Sequence, residues 1–167
     1  MTVCTFAGHR EVYSSAIEAD IESALSEIMQ TDNAFVFYSG GMGDFDKKCE
    51  SAVRGMKRKY PGLSIRLVLV IPYMTHQLNR DKEYYEASYD DIVIPSELIG
   101  IHYKAAIKKR NRWMVDQADK ILAYIYRDFG GAFDTVKYAF RIGKPVLNLA
   151  PKDEIAHLIL FLWVGIV

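Results

Sequence analysis

The chain is poor in cysteine, with only Cys4 and Cys49 among 167 residues. They form no CxxC pair, and together with His9, His76, His102 and His157 they show no HxxxH or HExxH spacing. That pattern argues against a structural zinc site, and no metal or cofactor is expected. Two reduced, buried thiols of a cytosolic protein are the simpler reading. Net charge is also missing: 21 lysines and arginines balance 21 aspartates and glutamates. Nothing in that balance favours wrapping nucleic acid or lying on an anionic membrane. Long apolar runs are absent as well. The stretch from Ile155 to Val167 is apolar but only thirteen residues long, whereas a spanning helix needs about 20. It reads as a segment packed on the core or on an interface. Met1 to Phe6 lacks the basic and apolar regions of a signal peptide, so a cytoplasmic location without membrane association is expected. There is no GxxxxGK[ST] loop and no GxGxxG fingerprint, which counts against an ATPase and an ordinary nicotinamide-dependent dehydrogenase.

What the chain does have is alternation. Apolar runs at Val3–Phe6, Ala34–Tyr38, Ile65–Ile71, Asp91–Ile94, Lys120–Tyr126 and Pro145–Leu149 read as strands. Between them lie helical patterns at Tyr13–Met29, Phe45–Lys59, Ala105–Ala118 and Asp134–Ile142, with Gly143 as a left-handed stop for the last. The tyrosine-rich stretch from Leu78 to Tyr89 reads as a surface helix or an ordered loop. The rhythm predicts an α/β, Rossmann-like fold, with a mostly parallel sheet of about six strands and helices on both faces. No linker-like stretch divides the chain, so one domain spanning residues 1–167 is expected.

In such a sheet ligands bind beyond the carboxyl ends of the strands. Three predicted strands end there in glycine-bearing turns: Gly8-His9-Arg10, Gly40-Gly41-Met42-Gly43-Asp44-Phe45-Asp46, and Gly130-Gly131-Ala132. Glycine lets the backbone turn and approach a ligand closely, and the helix that follows aims free N–H groups and a positive dipole end at the same place. A shared phosphate-type site is the inference. Arg10 is placed either to fork onto phosphate or to make a surface salt bridge. His9 is either an acid–base group or a hydrogen-bond partner of a backbone carbonyl. Asp44 reads as a helix N-cap, and Lys108-Lys109-Arg110 as a solvated basic face. Tyr84, Tyr85, Tyr89 and Tyr103 either stack on a base or cover an interface. They and the apolar C-terminal run together suggest a homo-oligomer.

The segments Phe6-Ala7-Gly8-His9-Arg10, Gly41-Met42-Gly43-Asp44-Phe45-Asp46, Arg110-Asn111-Arg112-Trp113-Met114-Val115-Asp116 and Gly130-Gly131-Ala132 resemble the SLOG superfamily. That group holds Rossmann-like domains akin to the Smf/DprA and LOG proteins, and the likeness is to its YpsA-like branch. It implies a module that binds a nucleotide or nucleotide-derived small molecule. It also puts Asn111 near the ligand and matches Asp46 to an aspartate of the family, which either meets a ribose hydroxyl or accepts from a backbone donor that shapes the loop. LOG-type phosphoribohydrolases carry a PGGxGTxxE motif with a catalytic glutamate. Here the matching stretch reads Phe129-Gly130-Gly131-Ala132-Phe133-Asp134-Thr135. Proline and glutamate are missing, and Thr135 is the hydroxyl in reach, one turn later. The expectation is therefore a binding module, a sensor or regulator. The alternative is a hydrolase or transferase acting on an N-glycosidic or phosphoester bond. A DprA-like DNA-binding protein is disfavoured by the neutral charge.

Overall fold

Residues 1–151 are described by a computed structural model. Six strands form one sheet: β1 (Thr2–Gly8), β2 (Ala34–Ser39), β3 (Ser64–Val70), β4 (Asp91–Val93), β5 (Lys120–Tyr124) and β6 (Val146–Asn148), in the order β4-β3-β2-β1-β5-β6. Every neighbouring pair is parallel. The chain runs outward from β1 through β4 and then returns to add β5 and β6 on the other side of β1. The strand order therefore reverses between β1 and β5, and their carboxyl ends, with Gly8 opposite Tyr124, open a crevice.

The strands are apolar throughout because both faces are covered. Phe35 and Phe37 of β2 point to a core shared with α1 (Ile17–Ile28) and α2 (Asp44–Lys59), while Val36 between them packs with Met114 on the opposite face. In β5, Leu122 and Tyr124 belong to the first core, and Ile121 and Ala123 to a second one beneath α5 (Tyr103–Gln117) and α6 (Gly131–Arg141). This period-2 division places α5 and α6 on one face and α1 and α2 on the other. Ile17, Ile21, Leu25 and Ile28 form the buried stripe of α1, and truncating Leu25 to alanine would cost about 2–5 kcal/mol.

Several boundaries differ from the sequence expectation for definable reasons. α1 begins at Ile17 rather than Tyr13, because the backbone N–H groups of Tyr13 and Ser14 donate to the buried Tyr124 hydroxyl, at 3.4 and 3.2 Å. β5 stops at Tyr124, because Ile125 exchanges both backbone groups with the Asn148 side-chain amide at 2.9 Å instead of a strand. Asp44 does not cap α2. Gly43, at φ 98°, holds the cap position, and the Asp44 N–H donates to the Arg10 carbonyl at 2.8 Å. The tyrosine-rich stretch forms two short helices, α3 (His76–Arg80) and α4 (Lys82–Ser88), the second without a buried residue. Gly143 does follow α6 in the left-handed region, at φ 72°.

Cys4 and Cys49 are unpaired and buried, and burial pushes the Cys4 thiol up to about 12. Among the described residues no helix is long and apolar enough to cross a membrane, and no His, Cys, Asp and Glu cluster of three or more could hold a metal. The apolar run 155–167 lies outside the described residues.

Candidate functional site

A cleft of about 210 Å³ opens at the carboxyl ends of β1 and β5, where the strand order reverses. Gly8, His9, Arg10, Gly40, Asp46, Asn111, Gly130, Gly131 and Thr135 line it, together with Met42, Arg110 and Arg127. The three glycine turns and the α5 segment thus meet around one space. Gly41 and Gly43 of the second turn are not part of its lining, and neither are Tyr84, Tyr85, Tyr89 or Tyr103.

The second turn is filled by protein. A Cβ on Gly40 would lie 2.7 Å from the Arg110 guanidinium, and one on Gly43 would lie 2.7 Å from the Arg10 Cα. Gly8 is similar, since a Cβ there would meet the Phe45 ring at 2.3 Å. At each of these three glycines a side chain would collide with neighbouring protein atoms. At the N-terminus of α2 the Asp44 N–H already donates to the Arg10 carbonyl.

The third turn is open. Gly130, at φ 96°, precedes α6, and among the described residues a Cβ on either Gly130 or Gly131 would meet nothing within 4 Å and no side chain caps α6. The Asp134 N–H donates to the Gly130 carbonyl at 3.0 Å, so the N–H groups ahead of it are the unmet donors of the first turn.

Beneath the cleft lies Arg110, only 2 % exposed. Its Nη1 donates to the carbonyls of Gly40 (2.8 Å) and Val70 (2.7 Å), its Nε to Asn111 Oδ1 (2.9 Å), and its Nη2 to Met42 Sδ (3.2 Å). This arginine ties α5 to the ends of β2 and β3. The reading of Lys108-Lys109-Arg110 as a solvated face therefore fails at Arg110. The signal was present in the spacing: Ala106, Arg110 and Met114 recur every four residues and are all buried.

Asp46 is buried beside Arg110. Its Oδ2 accepts from the Met42 N–H at 2.9 Å, which is the loop-shaping role among the two left open by the sequence. Burial pushes its carboxyl up to about 7, against the Met42 N–H and the Arg110 charge, which pull it down; Glu50 adds to the rise. Glu50 in turn accepts from the Ser39 hydroxyl at 2.6 Å. The Asn111 amide donates to Thr135 Oγ1 at 3.3 Å, and the Thr135 hydroxyl donates to the Gly131 carbonyl at 2.7 Å. Asn111 and Thr135 thus border the cleft while holding one another.

His9 is 3 % exposed. Burial pushes its imidazole down to about 4, the Arg127 charge adds to this, and a hydrogen bond with the Arg127 backbone opposes it. The ring is neutral at physiological pH. His9 Nε2, Tyr126 Oη and Arg127 Nε are buried polar atoms without a hydrogen-bond partner among the described residues. Arg127 rests on the rings of Phe129 and Tyr126, with its guanidinium carbon 4.7 and 5.6 Å from their centroids. Neither Arg10 nor Arg127 has an ion-pair partner among the described residues. The sequence reading overlooked Arg127. The signal available was its place just beyond a strand end and ahead of a glycine turn, as for Arg10.

Comparison with known proteins shows what this architecture is like. No protein-family model and no curated protein matches the chain. Among solved structures it resembles DNA processing protein A from Helicobacter pylori, a structure concerned with that protein's single-stranded DNA binding mode, with a TM-score of 0.62, 15 % identity, and coverage of 96 % of this chain and 72 % of that one. It also resembles the X-ray structure of TM1055, a structural genomics target, with a TM-score of 0.52, 17 % identity, and coverage of 87 % and 72 %. At these identities the likeness is one of fold: an all-parallel, six-stranded Rossmann-like α/β sheet.

Proposed function

We propose that this protein is a Rossmann-like module that binds a nucleotide or nucleotide-derived phosphate ligand, as a sensor or regulator. The observation that carries the reading is the uncapped N-terminus of α6 behind the open Gly130-Gly131 turn, in a cleft also lined by Arg10 and Arg127. Backbone N–H groups and the helix dipole supply one half of an anion site, and two arginines without ion-pair partners among the described residues supply the other. The unpartnered His9, Tyr126 and Arg127 atoms add support, because buried polar groups are rarely left unmet. The resemblance to SLOG domains of the YpsA-like branch points the same way, and DNA processing protein A falls within the Smf/DprA group of that superfamily. A homo-oligomer in the cytoplasm remains part of this proposal.

One observation favours a second reading, a hydrolase or transferase on the same site. Asp46 borders the cleft with a carboxyl pushed up to about 7, and an acid that keeps its proton near neutrality suits general acid catalysis. Melting temperature and product formation, followed together, separate the two. The panel holds inorganic phosphate, AMP, ADP, ADP-ribose and a single-stranded oligonucleotide. A ligand at 100 times its Kd adds about 2.7 kcal/mol. Stabilisation without turnover is the expected result, free base released from a nucleotide supports the enzyme, and no shift with any phosphate compound overturns the site.

A further inference from the structure

The sheet face that α1 covers is left bare at β6 among the described residues. Strand alternation puts Leu122 of β5 and its register partner Leu147 of β6 on that face, while Ile121 and Val146 turn to the core beneath α6. Leu122 is 2 % exposed, yet Leu147 is 47 % exposed. Between α1 and β6 a groove of about 440 Å³ opens, lined by Cys4, Ala24, Ile28, Leu122 and Leu147. Glu27 and Lys120 also line it and are opposite in sign, so it favours no ionic guest. It lies towards the amino ends of β1 and β5, away from the cleft, and is independent of the phosphate reading.

We infer that this groove seats the chain's own apolar segment, residues 155–167. The chain leaves β6 on the correct side: Leu149 packs against the core beneath α1 and α2, and Ala150 is buried within it. The length suffices. β5, with five residues, spans about 17 Å, and the sixteen residues from Lys152 to Val167 cover about 24 Å even at the rise of a helix. The chemistry matches as well. Residues 155–167 carry no aspartate, glutamate, lysine or arginine, and an apolar segment laid on an apolar groove removes both surfaces from water. A second copy or a foreign chain would compete with a segment tethered a few residues away, whose effective concentration is about millimolar.

The test is thiol labelling of Leu147→Cys in the full chain, with Ser23→Cys as the reference and the unsubstituted chain as background. Ser23 is exposed on α1, whereas the native Cys4 and Cys49 are buried. The Leu147→Cys thiol is expected to react at least about tenfold more slowly than the Ser23→Cys thiol, the protection given by burying one leucine-sized side chain. That ratio should not change with protein concentration. Adding Leu160→Asp and Phe161→Asp, which make seating of the segment costly, should bring the two rates within about twofold. Equal rates with the native segment overturn the inference, whatever the aspartate variant does. So does protection that survives the two aspartates, or protection that appears only at high protein concentration, where a second copy fills the groove. A second readout leaves the segment and the groove intact. In Trp113→Phe, Trp163 is the sole tryptophan, and it should be shielded from acrylamide quenching until Leu147→Asp is added. Quenching that Leu147→Asp leaves unchanged overturns the inference too.

Discussion

The glycine turns after β2 and after β5 look alike in sequence and differ in what stands in front of them. Gly40 and Gly43 are crowded by the Arg110 guanidinium and the Arg10 backbone, whereas Gly130 and Gly131 face nothing within 4 Å among the described residues. The turn after β2 is a joint in the protein. The turn after β5 is open, at a helix end that no described side chain caps. A glycine before a helix therefore has two physical meanings, close approach of the protein to itself or room for a guest, and only the neighbouring atoms separate them.

Substitutions should break the comparison in a graded way. The largest effect is expected at Arg110, which holds the second turn: Arg110→Met leaves the Gly40 and Val70 carbonyls unpaired and Asp46 without its nearest positive charge, a loss of about 3–5 kcal/mol. Urea unfolding would show this as a fall in midpoint. Gly43→Ala comes next, at about 2–4 kcal/mol, since it combines φ 98° with a 2.7 Å clash against Arg10 backbone. Gly131→Ala should change stability by less than about 1 kcal/mol, because nothing lies near its Cβ position, yet it intrudes on the anion position and should weaken phosphate-ligand affinity by calorimetry. A Gly131→Ala protein as unstable as Gly43→Ala would erase the distinction.

Titration sharpens it further. Asp46 keeps its proton to about 7 in the folded protein but loses it near 3.8 when unfolded. The folded state therefore binds more protons between those values, and this contribution to stability declines as pH rises through the window. His9 has the opposite sign: its pKa falls from 6.5 to about 4, so its contribution is present above 6.5 and is lost as pH falls towards 4. The two slopes oppose one another between pH 4 and 6.5. Asp46→Asn should leave the His9 slope uncovered, and its urea midpoint should rise with pH across that interval more steeply than in the wild type. An unchanged slope would show that Asp46 ionises normally. The smallest stability effect is expected from Arg10→Ala: the side chain is exposed and makes no ion pair among the described residues, so stability should shift by within about 0.5 kcal/mol. Affinity for a phosphate ligand should still fall.

The elements were legible in the sequence because burial imposes local patterns. Two-sided strands read as continuous apolar runs, and Ile17, Ile21, Leu25 and Ile28 recur at helical spacing. The gathering of Gly8, Gly40 and Gly130 at one end was legible too, since parallel topology brings the carboxyl ends of β1, β2 and β5 to one edge, whereas Asn111 was put there by the resemblance alone. Boundaries were less so. Tyr124, more than a hundred residues away, decides where α1 begins, and Asn148 decides where β5 stops.

By itself, then, the sequence determined the parallel α/β sheet, its helical faces and the edge at which a site could form, because period, apolarity and turn chemistry are local properties of the chain. Only the tertiary structure decided which charges are buried and which polar atoms go unmet. Arg110 sits in a basic run that reads as solvated, and it becomes a buried tie only because the Gly40 and Val70 carbonyls arrive from elsewhere. The His9, Tyr126 and Arg127 atoms become unmet only where two distant strand ends meet. Desolvation depends on what packs around a group, and that information belongs to the assembled fold.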